Sequence, residues 1–95
     1  MNDRLKQIQQ AVERAAECSA EHSQSVPVLE MFQGQTVWEG IVESFTLDGH
    51  PKAKRAYGWG YQDGKETRYV AVFEIPPVNS PNTALRAAIA SGAQK

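Results

Sequence analysis

Between residues 52 and 77 the side chains alternate by parity. Tyr57, Trp59 and Tyr61 fall on one side, Ala56, Gly58 and Gly60 on the other. Successive strand residues point to opposite faces, so this run predicts a strand with one ring-bearing face and one nearly smooth face. A second run rich in Tyr, Val and Phe, residues 68 to 75, follows across Gln62-Asp63-Gly64. Asp-Gly between two such runs signals a hairpin, because glycine takes positive φ without steric cost. Loop length then sets the faces. A two-residue Asp63-Gly64 loop pairs Gln62 with Lys65 and puts Tyr69 and Phe73 behind the glycines, with Val70 and Val72 beside the rings. A three-residue Gln62-Asp63-Gly64 loop pairs Tyr61 with Lys65 and gathers Tyr57, Trp59, Tyr61, Tyr69 and Phe73 on one face. The three-residue loop, a type I turn closing in a glycine bulge, is the expected one. It leaves a smooth Gly/Ala/Val face for a helix.

The rest of the pattern supplies the elements around this hairpin. Leu5, Ile8, Val12 and Ala15, widened by Ala11 and Ala16, predict an amphipathic helix over residues 3 to about 21, capped by Asn2 or Asp3. Ser23 to Pro27 reads as a linker, Val28 to Gln33 as a strand and Gly34-Gln35 as a tight turn. Thr36 to Leu47 reads as a longer strand, apolar in part on both faces, with Gly40 as a candidate bulge re-aiming Trp38. Asp48 to Pro51 is a loop, and Pro76-Pro77 ends the last strand. Ser80 as N-cap and Pro81 at the first helical position open a second helix. Ala84, Leu85, Ala88 and Ile89 form its apolar face, and Gly92 its stop. The expected fold is α+β: a four-stranded antiparallel meander in the order α-β-β-β-β-α, with both terminal helices on one sheet face. It forms one domain over 1–95, with helix and linker at 1–26, sheet at 27–77 and C-terminal helix at 78–95.

Composition narrows the function more by exclusion than by pointing. Ninety-five residues make one domain with a modest core. A net charge of −1 gives no global field toward nucleic acid or anionic lipid. Cys18 is the single cysteine, so folding does not rest on an internal disulfide. The polar N-terminal segment lacks the apolar stretch of a signal peptide or membrane span. A cytoplasmic protein without cofactor is expected.

Trp38, Tyr57, Trp59, Tyr61, Tyr69 and Phe73, with Arg55 beside them, are the strongest functional signal. So many rings exceed what two short helices readily cover, and Tyr and Trp suit interfaces and ligand pockets. The plainer reading makes them an ordinary core. Gly58 and Gly60 argue for a helix on the smooth face, which leaves the rings to close a homodimer around room for a small apolar or aromatic ligand. Lys52, Lys54, Arg55, Lys65 and Arg68 beside Tyr57, Trp59 and Tyr61 hold the ingredients of a single-strand nucleic-acid platform. Asp48, Asp63 and Glu66 offset most of that charge. His50 with Glu39 or Glu43 offers acid–base groups without a nucleophile motif. Cys18 and His22, spaced i, i+4 on the expected helix, are two ligands where a metal site needs three or four.

Four fragments carry a resemblance over residues 36 to 90: Val37-Trp38-Glu39-Gly40, Gly49-His50-Pro51-Lys52-Ala53-Lys54-Arg55, Glu74-Ile75-Pro76-Pro77-Val78 with Ser80-Pro81, and Arg86-Ala87-Ala88-Ile89. Together they resemble small bacterial proteins encoded in the mobile gene cassettes of integrons. The resemblance implies an accessory bacterial cytoplasmic protein and brings no catalytic residues. The expected function is therefore a non-enzymatic binding or structural protein, homodimeric through its ring face. Nucleic-acid binding and a small enzyme stand as alternatives.

Overall fold

The computed structural model describes residues 3–91. Helix α1 spans Asp3–Ala16 and β1 spans Ser19–Phe32. β2 runs Gln35–Asp48, β3 Arg55–Asp63, β4 Glu66–Phe73, and α2 closes the chain at Pro81–Ser91. The strands form one antiparallel sheet in the order β1-β2-β3-β4. The element order and the α+β class are as expected from sequence. The Asn2 cap and the Gly92 stop lie outside the described residues. No helix among the described residues is long and apolar enough to cross a membrane.

The β3–β4 hairpin differs from expectation in its turn. Asp63 pairs with Glu66, so the two-residue loop is Gly64-Lys65. Gly64 has φ 66 at the first loop position, as a type II′ turn requires. Trp59 therefore faces Val70, Tyr57 faces Val72 and Gly60 faces Tyr69. Face assignment follows parity, so Tyr69 and Phe73 leave the ring face and join the glycines.

That parity also separates the helices. Ala56 clusters with Ile8, Val12, Ala16 and Phe45 beneath α1. Its neighbours Tyr57 and Trp59 cluster with Ala84, Leu85 and Ala88 of α2. Adjacent strand residues point opposite ways, so α1 and α2 lie on opposite faces of the sheet, not together on one. The physical reason is the fit of each face. A Cβ on Gly58 would sit 2.7 Å from Ile8 Cγ2 and 3.0 Å from Val12 Cγ2, so α1 settles directly on bare backbone. The rings need a cover with small residues, and Ala84 and Ala88 flanking Leu85 provide it. Tyr57 and Trp59 are consequently 2% and 0% exposed.

Three local expectations change. α1 ends at Ala16, with Glu17 in the left-handed region (φ 56), so Cys18 sits in the turn and His22 on β1. The expected linker is strand: Pro27 lies inside β1, opposite Ile41, on an outer edge where proline's missing donor is tolerated. Gly40 stays in register with Val28, and the irregularity falls instead at Glu30/Met31, with Val37 as the extra residue. Gln33 (φ 52) and Gly34 (φ 76) form the β1–β2 turn. At α2, Ser80 Oγ accepts the Thr83 N–H at 3.2 Å and Thr83 Oγ1 accepts the Ser80 N–H at 3.0 Å, a reciprocal capping box.

The β1–β2 ladder runs from Ser19↔Asp48 to Phe32↔Gln35, whereas β2 and β3 pair only over Glu43–Thr46 and Arg55–Gly58. Beyond Glu43 the hairpin continues as an arm, which stretches the molecule to 40 × 31 × 21 Å.

Two substitutions test this arrangement. Gly58→Leu is expected to destabilise the fold by about 1–3 kcal/mol, because α1 has nowhere to retreat without losing Ile8 and Val12. An unchanged melting curve would unseat α1 from β3. Trp59→Ala is expected to cost ~3–5 kcal/mol as a core deletion. A variant that keeps wild-type stability would place Trp59 outside the core.

Candidate functional site: the arm and the carboxylate at its base

The residues expected to form one site are divided by the fold. Tyr57 and Trp59 are core, Trp38 stands half-buried with its ring edge toward Trp59 at 6.1 Å, and Tyr61 packs at the margin of the same cluster. Tyr69 and Phe73 belong to the α1 face, where Phe73 lies 4.8 Å from the His50 ring. Arg55 is half-exposed, its guanidinium 3.9 Å from Glu74. The ring face is thus already closed by the chain's own helix, and no free ring surface remains at Tyr57 or Trp59 to meet a second copy.

The same placement bears on the other readings. The nucleic-acid platform needs rings open to bases, and the two central rings are inside. Arg68 is held by Asp63 at 2.7 Å and Glu66 at 3.3 Å, with Asp63 foremost in raising its pKa. His50 turns its Nδ1 inward to accept the N–H groups of Lys52 at 3.1 Å and Ala53 at 2.9 Å, so it shapes the β2–β3 loop. Glu39 is exposed on the arm, and Glu43 has partners of its own. His50, Glu39 and Glu43 do not form one centre.

Glu43 is the polar cluster that the sequence did not disclose. Its side chain is 6% exposed and accepts from Ser25 Oγ at 2.5 Å and His22 Nε2 at 2.9 Å, both on Oε1. Arg4 lies 3.6 Å from Oε2. The extra residue Ser23 makes this possible. His22 and Ser25 are three apart, which in a regular strand points them to opposite faces; the bulge returns both to the α1 face. Ser25 Oγ and His22 Nε2 are 3.4 Å apart, a separation that invites comparison with a nucleophile–base pair. The proton inventory argues otherwise. A carboxylate only accepts, so both the hydroxyl and the ring nitrogen spend their hydrogens on the same Glu43 oxygen. Neither is left to activate the other. The cluster ties the base of the arm to α1.

Beyond that base the arm carries the exposed apolar side chains. Leu29, Met31, Phe32, Val37 and Ile41 are five of the seven large apolar residues exposed among the described residues, and Phe32 is 66% open. Pro27, Leu29, Glu39 and Ile41 share the side on which α1 lies but extend past it. Near the tip, Met31, Phe32 and Val37 meet Ile89 of α2 around an open apolar hollow of about 410 Å³, with Glu30 and Arg86 paired at its rim. A larger groove of about 670 Å³ runs between α1 and β4, but Arg14, Glu66, Arg68 and Gln7 are among its lining. Among the described residues no group of three or more His, Cys, Asp or Glu could hold a metal ion.

Comparison with family models, curated proteins and solved structures brings no match to this chain.

One buried group makes a pH prediction. Burial and the hydrogen bond to Glu74 push Tyr57 up to about 12. The folded state holds this proton longer than the unfolded state, so unfolding at high pH releases it. The stabilisation is complete below pH 10 and is lost as pH rises through about 12. Tyr57→Phe is expected to flatten that part of the stability profile, measured by denaturation from pH 9 to pH 12. An unchanged slope would assign the loss to other groups.

Proposed function

We propose that this is a non-enzymatic binding or structural protein that works as a homodimer, and that the dimer forms through the β1–β2 arm. One observation carries the reading: the exposed large apolar side chains concentrate on the arm instead of scattering over the surface. Single exposed apolar residues are ordinary, but a contiguous apolar patch of several hundred Å² marks a contact site. Leu29 and Ile41 would close against a second copy, while the tip and Ile89 enclose the hollow. That hollow, and not the ring face, is then the place for a small apolar ligand. The resemblance to cassette-encoded proteins supports an accessory role in a bacterial cytoplasm.

Leu29→Glu tests the surface without touching the core, because Leu29 is half-exposed. Sedimentation equilibrium should show the wild type as a dimer at ~100 µM and the variant as a monomer, since a desolvated charge is costly at such a contact. Far-UV circular dichroism should be the same for both. A wild type that stays monomeric, or a variant that dimerises equally well, would contradict the proposal.

A further inference from the structure

We infer that β4 takes up an extended peptide of a partner protein, laid as a fifth strand along its outer edge beside α1, with an Asp or Glu of that peptide meeting Arg14. This surface is separate from the arm, and the inference stands or falls apart from the self-association proposed above.

A bare strand edge is a template for pairing, and folded proteins guard such edges with proline, bulges, charge or a covering element. β4 is the last strand in the sheet order. Its counterpart at the other end, β1, is guarded by Pro27 and by the irregularity at His22/Gln24. β4 has no proline, and its register against β3 runs unbroken from Glu66 to Phe73. The hairpin fixes which backbone groups are left over. Asp63 and Glu66 flank a two-residue loop, so they form a hydrogen-bonded pair, and every second residue after Glu66 also turns toward β3. The glycines of β3 agree. A Cβ on Gly58 would lie 3.4 Å from the Val70 carbonyl oxygen, and one on Gly60 3.6 Å from that of Arg68. The N–H and C=O groups of Thr67, Tyr69 and Ala71 therefore point outward, and no strand or loop backbone among the described residues receives them.

Beside this edge α1 forms a second wall. The groove of about 670 Å³ between them is lined by Gln7, Ala11 and Arg14 from the helix and by Thr67, Tyr69 and Ala71 from the strand. Positions 7, 11 and 14 share one helix flank. Arg4, at the start of α1, lies near Thr67 and Tyr69, whereas Ala16 at its end clusters with Ala56 and Phe73. The helix thus runs alongside the strand and carries Arg14 toward Ala71. The two walls match in length: ~13 Å from Thr67 to Ala71 at the strand rise, and ~10 Å from Gln7 to Arg14 at the helical rise. That is room for about five extended residues.

Charge selects the occupant. The one acid in the lining, Glu66, lies 3.3 Å from Arg68, which Asp63 also holds at 2.7 Å. Arg14 is exposed and has no ion-pair partner among the described residues. The groove offers three backbone rungs and one unspent guanidinium, whose fork of donors suits a carboxylate. An extended acidic peptide matches both. In such strand addition the backbone gives affinity and side chains give selectivity. One free cation is too few to hold a nucleic-acid backbone. A second copy joined edge to edge would offer Glu66, already spent on Arg68, and a second basic flank.

The experiment selects binders of the full chain from a phage-displayed library of random dodecapeptides and studies the best as a synthetic peptide. Selected sequences should carry Asp or Glu. The peptide should slow amide exchange at Thr67, Tyr69 and Ala71 on the order of tenfold or more. Arg14→Glu, an exposed change outside both cores, should weaken binding about tenfold or more. N-methylation of the peptide at alternate residues should abolish binding in one frame and spare it in the other, since only every second N–H faces β4. A library without an enriched binder, equal binding by Arg14→Glu, protection elsewhere on the chain, or the same effect in both methylation frames overturns the inference. Slowing of the same three amides by protein concentration alone, without peptide, gives the edge to a second copy and overturns it equally.

Discussion

Ile8 and Val12 reach the backbone of β3 only because position 58 has no side chain. This contact determines much of the fold. It fixes which face of β3 receives α1, and strand parity then sends Tyr57 and Trp59 to the opposite face. Rings of that size left in water would forfeit the largest apolar burial the chain can make. A second cover is therefore required, and α2 supplies it with Ala84, Leu85 and Ala88. Each face of one strand thus has its own helix, and two small cores share a single sheet.

β2 and β3 part beyond Glu43 and Gly58. Trp59 and Tyr61 pack within the α2-side cluster, and Trp38 meets Trp59 edge-on from the far side of the gap. The β1–β2 hairpin keeps its own ladder and projects beyond the pairing with β3. At its root the carboxylate of Glu43 gathers His22, Ser25 and Arg4, which joins β1, β2 and α1 at one point. The anchored base and the apolar arm have different physical roles. The base is a polar cluster around one buried carboxylate, whereas the arm carries most of the exposed large apolar side chains among the described residues.

The element order was readable because its signals are local. Ser80-Pro81, Pro76-Pro77 and the alternation of β3 each act within a few residues, and the capping box at Ser80 and Thr83 appears as the residue types suggest. The helix's early stop was hidden, because Glu17 and not glycine takes the left-handed conformation. The length of β1 was hidden as well. Its first half, Ser19 to Ser25, is a polar edge without the alternation that announces a strand. The ring-face site failed for a single reason: shifting the turn from Gln62-Asp63-Gly64 to Gly64-Lys65 reverses the parity of β4, which removes Tyr69 and Phe73 from the rings. With four rings instead of six on that face, one short helix suffices as a cover. The Glu43 cluster depends on a bulge, and a bulge at a serine leaves no mark in composition or spacing.

The division of the two helices between opposite faces of β3 can be measured directly by nuclear Overhauser contacts in the monomeric state. Trp59 ring protons should show contacts to Leu85 methyls, and Gly58 α-protons to the methyls of Ile8 and Val12. Contacts from Trp59 to Ile8 or Val12, with none to Leu85, would contradict the account and put the rings beneath α1.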